Sequence, residues 1–204
     1  MLEFTSSYYG VALCGMRVIA GTYRGRRLYG PQTQTLRPTS DRVREALFSI
    51  LGNRLPHSRF LDLYAGTGAV GIEALSRGAD HVTAVEWNRD AVNLLQRNKH
   101  LCEIGAELTI QTHTVEQFLQ RPDQWHGPYD IVFADPPYAE TARLFSVLSG
   151  SMIETLCAVD TWLIVEHGEK SAAPAALGPT TLHRQYRYGD TTLSRYSRPH
   201  HHET

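Results

Sequence analysis

DLYAGTGAVG, residues 62–71, is the stretch whose reading decides the fold. Gly66, Gly68 and Gly71 match G-x-G-x-x-G. The apolar run RFLDLY, residues 59–64, enters the loop as a strand, and AVGIEALSRG, residues 69–78, leaves it as a helix. Glycines at such a turn let a ligand approach the backbone where a helix begins. Glu86 ends the next strand, HVTAVE, twenty residues after Gly66. That spacing suits a carboxylate accepting bonds from ribose hydroxyls. On this motif alone NAD, FAD and S-adenosylmethionine all remain open. The candidate cofactor contacts here are Asp62, Tyr64, Ala65, Gly66, Thr67, Gly68, Gly71, Glu86 and Trp87, the last being equally readable as a packing residue.

Outward from the loop, strands and helices alternate. The segments are helix 89–105, strand 107–112 (ELTIQT), short helix 115–121, strand 129–134 (YDIVFA), helix 140–157 and strand 160–167 (DTWLIVEH). Repeated βα units with apolar strands argue a parallel, doubly wound sheet. The end differs: TTLHRQYRYGDTTLSRYSR, residues 180–198, alternates about Gly189-Asp190 and reads as an antiparallel hairpin. A parallel sheet closed in this way is not the usual dinucleotide dehydrogenase. At the other end, residues 16–30 read as a short hairpin with Gly21 near its turn, 31–38 as a loop, and TSDRVREALFSIL as a helix capped by Thr39-Ser40-Asp41.

A second stretch, IVFADPPYAE at 131–140, meets the same sheet edge. A strand buried on both faces ends in Asp135, Pro136, Pro137 and Tyr138. The prolines cannot continue a ladder and stiffen the loop. In open α/β sheets ligands bind outside the carboxyl ends of the strands. Two features favour S-adenosylmethionine over a dinucleotide. Asp62, four residues before Gly66, can pair with loop amides or with the methionine ammonium. Asp135 or a neighbouring carbonyl can hold an amino group beside the methyl donor.

The 204 residues carry a net charge of −1, so the total gives no nucleic-acid signal, but the distribution does. From Arg17 to Ser40 there are five arginines (17, 24, 26, 27, 37) and no acid. Cys14, Cys102 and Cys157 lack metal-ligand spacing and read as reduced thiols of a cytoplasmic protein. No apolar run reaches the ~18 residues of a membrane span. The expected organisation is a loose extension 1–15, an arginine-rich arm 16–38, a main domain 39–198 and a tail 199–204.

RVIAGTYRGRRL, LRPTSDRVREALFSIL, FLDLYAGTGAVGIEALSRGA, VEWN, DIVFADPPY and YGDTTLSRY occur in one order. Together they resemble the bacterial 16S ribosomal RNA (guanine(966)-N(2))-methyltransferases over about residues 16–198. The resemblance implies a Rossmann-like class I methyltransferase fold, a mostly parallel seven-stranded sheet ending in an antiparallel hairpin, with an N-terminal hairpin arm. It implies S-adenosyl-L-methionine as cofactor, no metal, and 16S rRNA or the assembling small subunit as partner, acted on by a monomer. Asp135, Pro136, Pro137 and Tyr138 are then the catalytic candidates, with Asp135 also at the cofactor. Tyr23, Arg24, Arg26, Arg27, Tyr29, Arg37, Thr39 and Arg42 are the RNA candidates. One departure stands out: related enzymes often place an acid after the third strand to bind adenine, where this chain has His113, Thr114 and Val115. Backbone groups at Thr114 and Val115 are the expected substitute. The rival readings are a DNA adenine-N6 methyltransferase, a protein glutamine methyltransferase, a NAD-dependent oxidoreductase and a non-catalytic RNA-binding module.

Overall fold

A computed structural model describes residues 13–30, 41–150 and 152–198. The expected loop 31–38, with Arg37, and the capping residues Thr39 and Ser40 lie outside these residues, as do most of the N-terminal extension and the tail. In chain order the elements are β1 (Leu13–Arg17), β2 (Arg27–Tyr29), α1 (Asp41–Leu51), β3 (Arg59–Leu63), α2 (Ala69–Ser76), β4 (His81–Val85), α3 (Arg89–Leu101) and β5 (Leu108–Gln111). Then follow α4 (Val115–Leu119), β6 (Tyr129–Ala134), α5 (Thr141–Leu148), α6 (Met152–Leu156), β7 (Cys157–Gly168), β8 (Ala176–Leu177), β9 (Thr180–Tyr188) and β10 (Thr191–Ser197).

The main sheet runs β5-β4-β3-β6-β7-β10-β9-β8. The first five strands are parallel, and β10, β9 and β8 close it antiparallel. It has eight strands rather than the seven expected, because the two-residue β8 adds itself to the outer edge of β9. Two residues are too short a run for a periodicity argument to find. The expected helix 140–157 is two helices with a break at Ser149-Gly150, and Cys157 already belongs to β7. Glycine in a helix interior loses the most backbone entropy, which favours a stop there.

Alternate residues of the central strands feed two apolar layers. Phe60, Ile131, Phe133 and Ile164 face one layer, covered by α1, α2 and α3. Leu61, Leu63, Val132, Ala134, Leu163 and Val165 face the other, covered by α4, α5 and α6. The N-terminal hairpin belongs to the first layer: Met16, Val18 and Leu28 are buried in it.

Polar anchors fix that hairpin. Glu73, fully buried in α2, accepts the amides of Ile19 (2.7 Å) and Ala20 (3.0 Å) and pairs with Arg77 (2.7 Å). Ser76 Oγ accepts the Tyr23 amide, and the Ser76 carbonyl accepts the Thr22 amide. From α3, Asn98 bonds both backbone groups of Tyr29 and reaches the Thr67 carbonyl at 2.9 Å. The arm is therefore docked on the helices behind the glycine loop.

Candidate active site

The carboxyl ends of β3, β4 and β6 lie side by side, since Leu63 pairs with both Val85 and Ala134. Each is followed by part of the site. After β3, Tyr64 adopts φ +64°, a left-handed conformation that a non-glycine residue keeps only where its surroundings hold it. Its phenol bonds to Glu140, and burial raises its pKa. The side chain thus faces the second layer, and what Tyr64 offers the loop is backbone. Ala65 donates its amide to Val85 O at 3.0 Å. Gly68 initiates α2 at φ +78°, and a Cβ there would stand 1.9 Å from Leu95 Cδ1. Glycine suits that approach of loop to α3, since another residue would carry a left-handed backbone and displace the buried Leu95 side chain. Gly71 sits against β4, its missing Cβ 2.9 Å from Val82 Cγ1. At Gly66, by contrast, a Cβ would meet nothing within 4 Å. The loop's open side is there.

Glu86 orders this loop from the neighbouring strand. One carboxylate oxygen accepts the Gly66 amide at 2.8 Å and the other the Asn88 amide at 2.7 Å. Each oxygen has a second lone pair, so the carboxylate can still accept from a ligand. Trp87, next in sequence, is 58% exposed, which rules out its reading as a packing residue.

Asp62 is 1% exposed and accepts the Gly71 amide at 3.0 Å. Burial, with smaller contributions from Asp135 and Glu86, pushes its pKa up to about 8. A carboxyl raised in the folded state binds a proton that the unfolded chain has released. Stability must therefore fall as pH rises from about 4, the unfolded value, through about 8. Asp62→Asn keeps an acceptor for Gly71 and removes the titration. We expect the variant to melt above wild type at pH 8.5 and level with it at pH 4. Parallel melting curves across that range would mean that Asp62 is ionised throughout.

After β6, Asp135 is half-buried and its amide lies 3.4 Å from Leu63 O. Pro136 is buried, Pro137 exposed, and the Tyr138 ring is 50% exposed. The expected residues Asp62, Gly66, Glu86 and Asp135 are thus at one sheet edge. Thr114 and Val115 are used differently. Thr114 caps α4 in a reciprocal box with Gln117, and Val115 is buried in the second layer. The Thr114 amide already donates to Gln117 Oε1 at 3.1 Å.

These motifs recur in known proteins. The family model described as Conserved hypothetical protein 95 matches residues 16–197. The chain belongs to that family. A curated relative, ribosomal RNA small subunit methyltransferase D of Escherichia coli strain K12, is 32% identical over 188 residues, covering 90% of each chain. Its Haemophilus influenzae counterpart is 41% identical over 127 residues, 60% of this chain and 64% of that protein. The solved structure of Escherichia coli yhhF superposes with a TM-score of 0.76 at 33% identity, covering 90% of this chain and 97% of that one. The fold is that of the Rossmann-like class I methyltransferases, as the motifs implied.

Within this family frame the arm candidates divide. Arg24, Arg27 and Arg42 are exposed. Arg26 is engaged: it donates to Leu101 O at 2.8 Å and stacks 5.5 Å from the Tyr23 ring centroid. Tyr23 packs partly on the first layer, and Tyr29 lies under the Arg97 guanidinium at 4.5 Å. Arg37 and Thr39 are outside the described residues. Sequence reasoning missed the anchors Glu73, Ser76 and Asn98. Glu73 carried a signal, being an acid inside the otherwise apolar run AVGIEAL. His167, at the end of the expected strand 160–167, is buried in β7, with Nε2 2.7 Å from Ser194 Oγ. Burial lowers its pKa, so it is a neutral structural group. Among the described residues no helix is long and apolar enough to cross a membrane.

Proposed function

We propose that this chain transfers the methyl group of S-adenosylmethionine to the exocyclic N2 amine of a guanine in 16S rRNA. The observation carrying this reading is the sheet edge itself. An open glycine loop stands between the carboxylates of Glu86 and Asp135, with Tyr138 exposed beside it. The relatives' names, ribosomal RNA small subunit methyltransferase D, support RNA as substrate. The residues present fit the cofactor. Glu86 can accept ribose hydroxyls, Gly66 leaves space at the loop, and the carboxylates of Glu86 and Asp135 suit a ligand bearing two cationic centres. When bound, S-adenosylmethionine supplies a methyl group already activated on a sulfonium.

The chain's own residues then act on the amine. Guanine N2 is conjugated with its ring, so its lone pair is poorly available. Asp135, or the Pro136 carbonyl, accepts an N2–H bond, which favours the pyramidal amine and stabilises positive charge as the C–N bond forms. Asp135 or water takes the proton released. The proline pair holds this acceptor in place, and Tyr138 stacks on a base turned out of its helix. Arg24, Arg27 and Arg42 meet phosphates.

The test is transfer of labelled methyl to small ribosomal subunits from a strain lacking this activity, with the modified nucleoside identified by mass spectrometry. N2-methylguanosine in 16S rRNA is the expected product. Methyladenine, or transfer to DNA or protein alone, would overturn the substrate.

A further inference from the structure

The C-terminal hairpin is not used by the site described so far. Between residues 180 and 198 it carries four arginines, 184, 187, 195 and 198, against one acid, Asp190. Its register decides which side chains share a face, because directly paired residues project to the same side of a sheet. Gly168 pairs with Thr191, which pairs with Tyr188. One step further from the edge, Glu166, Leu193 and Tyr186 align, and then Ile164, Arg195 and Arg184. Tyr188, Tyr186 and Arg184 therefore form a row on β9, on the face of Gly168.

Tyr138 lies on that same face. A Cβ built on Gly168 would stand 3.5 Å from the Tyr138 ring, so the missing side chain leaves the ring resting on the strand end. From the candidate active site outward the surface reads Tyr138, Tyr188, Tyr186, Arg184. Tyr186 and Tyr188 are rooted in the first layer with part of each ring exposed. Arg184 is exposed, its guanidinium 5.1 Å from the Tyr186 centroid.

Two observations say what such a row meets. Arg184 and Arg195 are directly opposed across strands, Arg184 turned to the Tyr186 ring and Arg195 to the Trp162 ring at 4.1 Å, so one face carries two cations, which a polyanion suits. Charge on an edge strand also deters strand pairing, and β8 covers β9 only at Thr180 and Thr181. Edge protection accounts for arginines, but not for tyrosines leading to Tyr138. Interleaved aromatic and basic residues on a sheet face suit unpaired bases and their phosphates. We infer that this row is a platform for the single-stranded nucleotides flanking the target base, Tyr188 and Tyr186 stacking on bases and Arg184 contacting a phosphate. The inference rests on the RNA reading above.

The experiment measures binding of a 16S rRNA stem-loop, with the guanine in its loop, to the full chain saturated with S-adenosylhomocysteine. Wild type is compared with Arg184→Glu and with Tyr186→Leu/Tyr188→Leu, which keeps apolar packing without the rings. Affinity is expected to fall about tenfold for each tyrosine removed. Arg184→Glu is expected to reduce the salt slope by about one. Cofactor affinity stays unchanged in both. Arg184 is exposed, so its variant answers the question even where the leucine pair unfolds. Wild-type binding and methylation, with unchanged affinity and slope in Arg184→Glu and in any folded leucine variant, would overturn the platform alone. A wild type that methylates no RNA would overturn the functional reading, and the platform with it.

Discussion

Replacing Asp135 by alanine is expected to lower kcat for methyl transfer by about 10²–10⁴-fold while cofactor affinity is largely kept. Asp135 stands one residue past the end of β6, between the ends of β3 and β7. Its amide lies 3.4 Å from Leu63 O, a backbone contact that the substitution keeps. Asp135→Asn separates two roles. It keeps a hydrogen-bond acceptor for N2–H and loses the capacity to take a proton. Activity near wild type in Asn but not Ala would assign Asp135 to orientation, while equal loss would assign it to charge. A second readout is independent of substrate. Asp135 helps to raise the Asp62 pKa, so removing its charge should draw that pKa down and shorten the pH range over which stability falls. Full turnover in Asp135→Ala would remove the residue from the reaction.

The parts of this site that were legible in the sequence are those in which chemistry and chain order coincide. DLYAGTGAVG announces a strand, a turn and a helix within ten residues, and Glu86 follows at a spacing that one βα unit imposes. DPPY is legible because two prolines can only end a strand. What stayed hidden depends on contacts between distant segments. Nothing local says that Glu73 will accept amides 53 and 54 residues earlier. Tyr186 and Tyr188 look like ordinary strand residues until register sets them on the face of Gly168 and Tyr138. Arg26 looked like its neighbours Arg24 and Arg27 because the carbonyl it binds, Leu101, lies 75 residues away. The Thr114 region was half legible for a different reason. The absence of an acid was visible, but Thr114-x-x-Gln117 is also a capping box, which engages the Thr114 amide.

Gly21→Ala is expected to destabilise the protein by about 3 kcal/mol or more, from about 1–2 for the left-handed backbone and 1–3 for overpacking. That is roughly a 10 °C fall in Tm for a chain of this size. Gly21 has φ +84°, and a Cβ would lie 1.6 Å from the Ser76 carbonyl oxygen and 2.3 Å from its carbon. Both are backbone atoms of α2, so no rotamer change can relieve the clash. The carbonyl concerned is the one that accepts the Thr22 amide at 2.8 Å, so moving it away breaks an anchor of the hairpin. The neighbouring bonds from Ile19 and Ala20 to Glu73 strain with it, and Val18 and Leu28, buried in the first layer, lose their cover. Gly25 supplies the control. Its φ is +83°, yet a Cβ there meets nothing within 4 Å, so Gly25→Ala carries the backbone cost alone. Thermal melts of the two variants therefore isolate the clash. A larger loss at position 21 than at 25, with RNA affinity falling alongside it, means that the arm works only while docked on α2. Equal losses mean that the hairpin shifts away from Ser76 at no cost, and that Glu73 and Asn98 suffice to hold it.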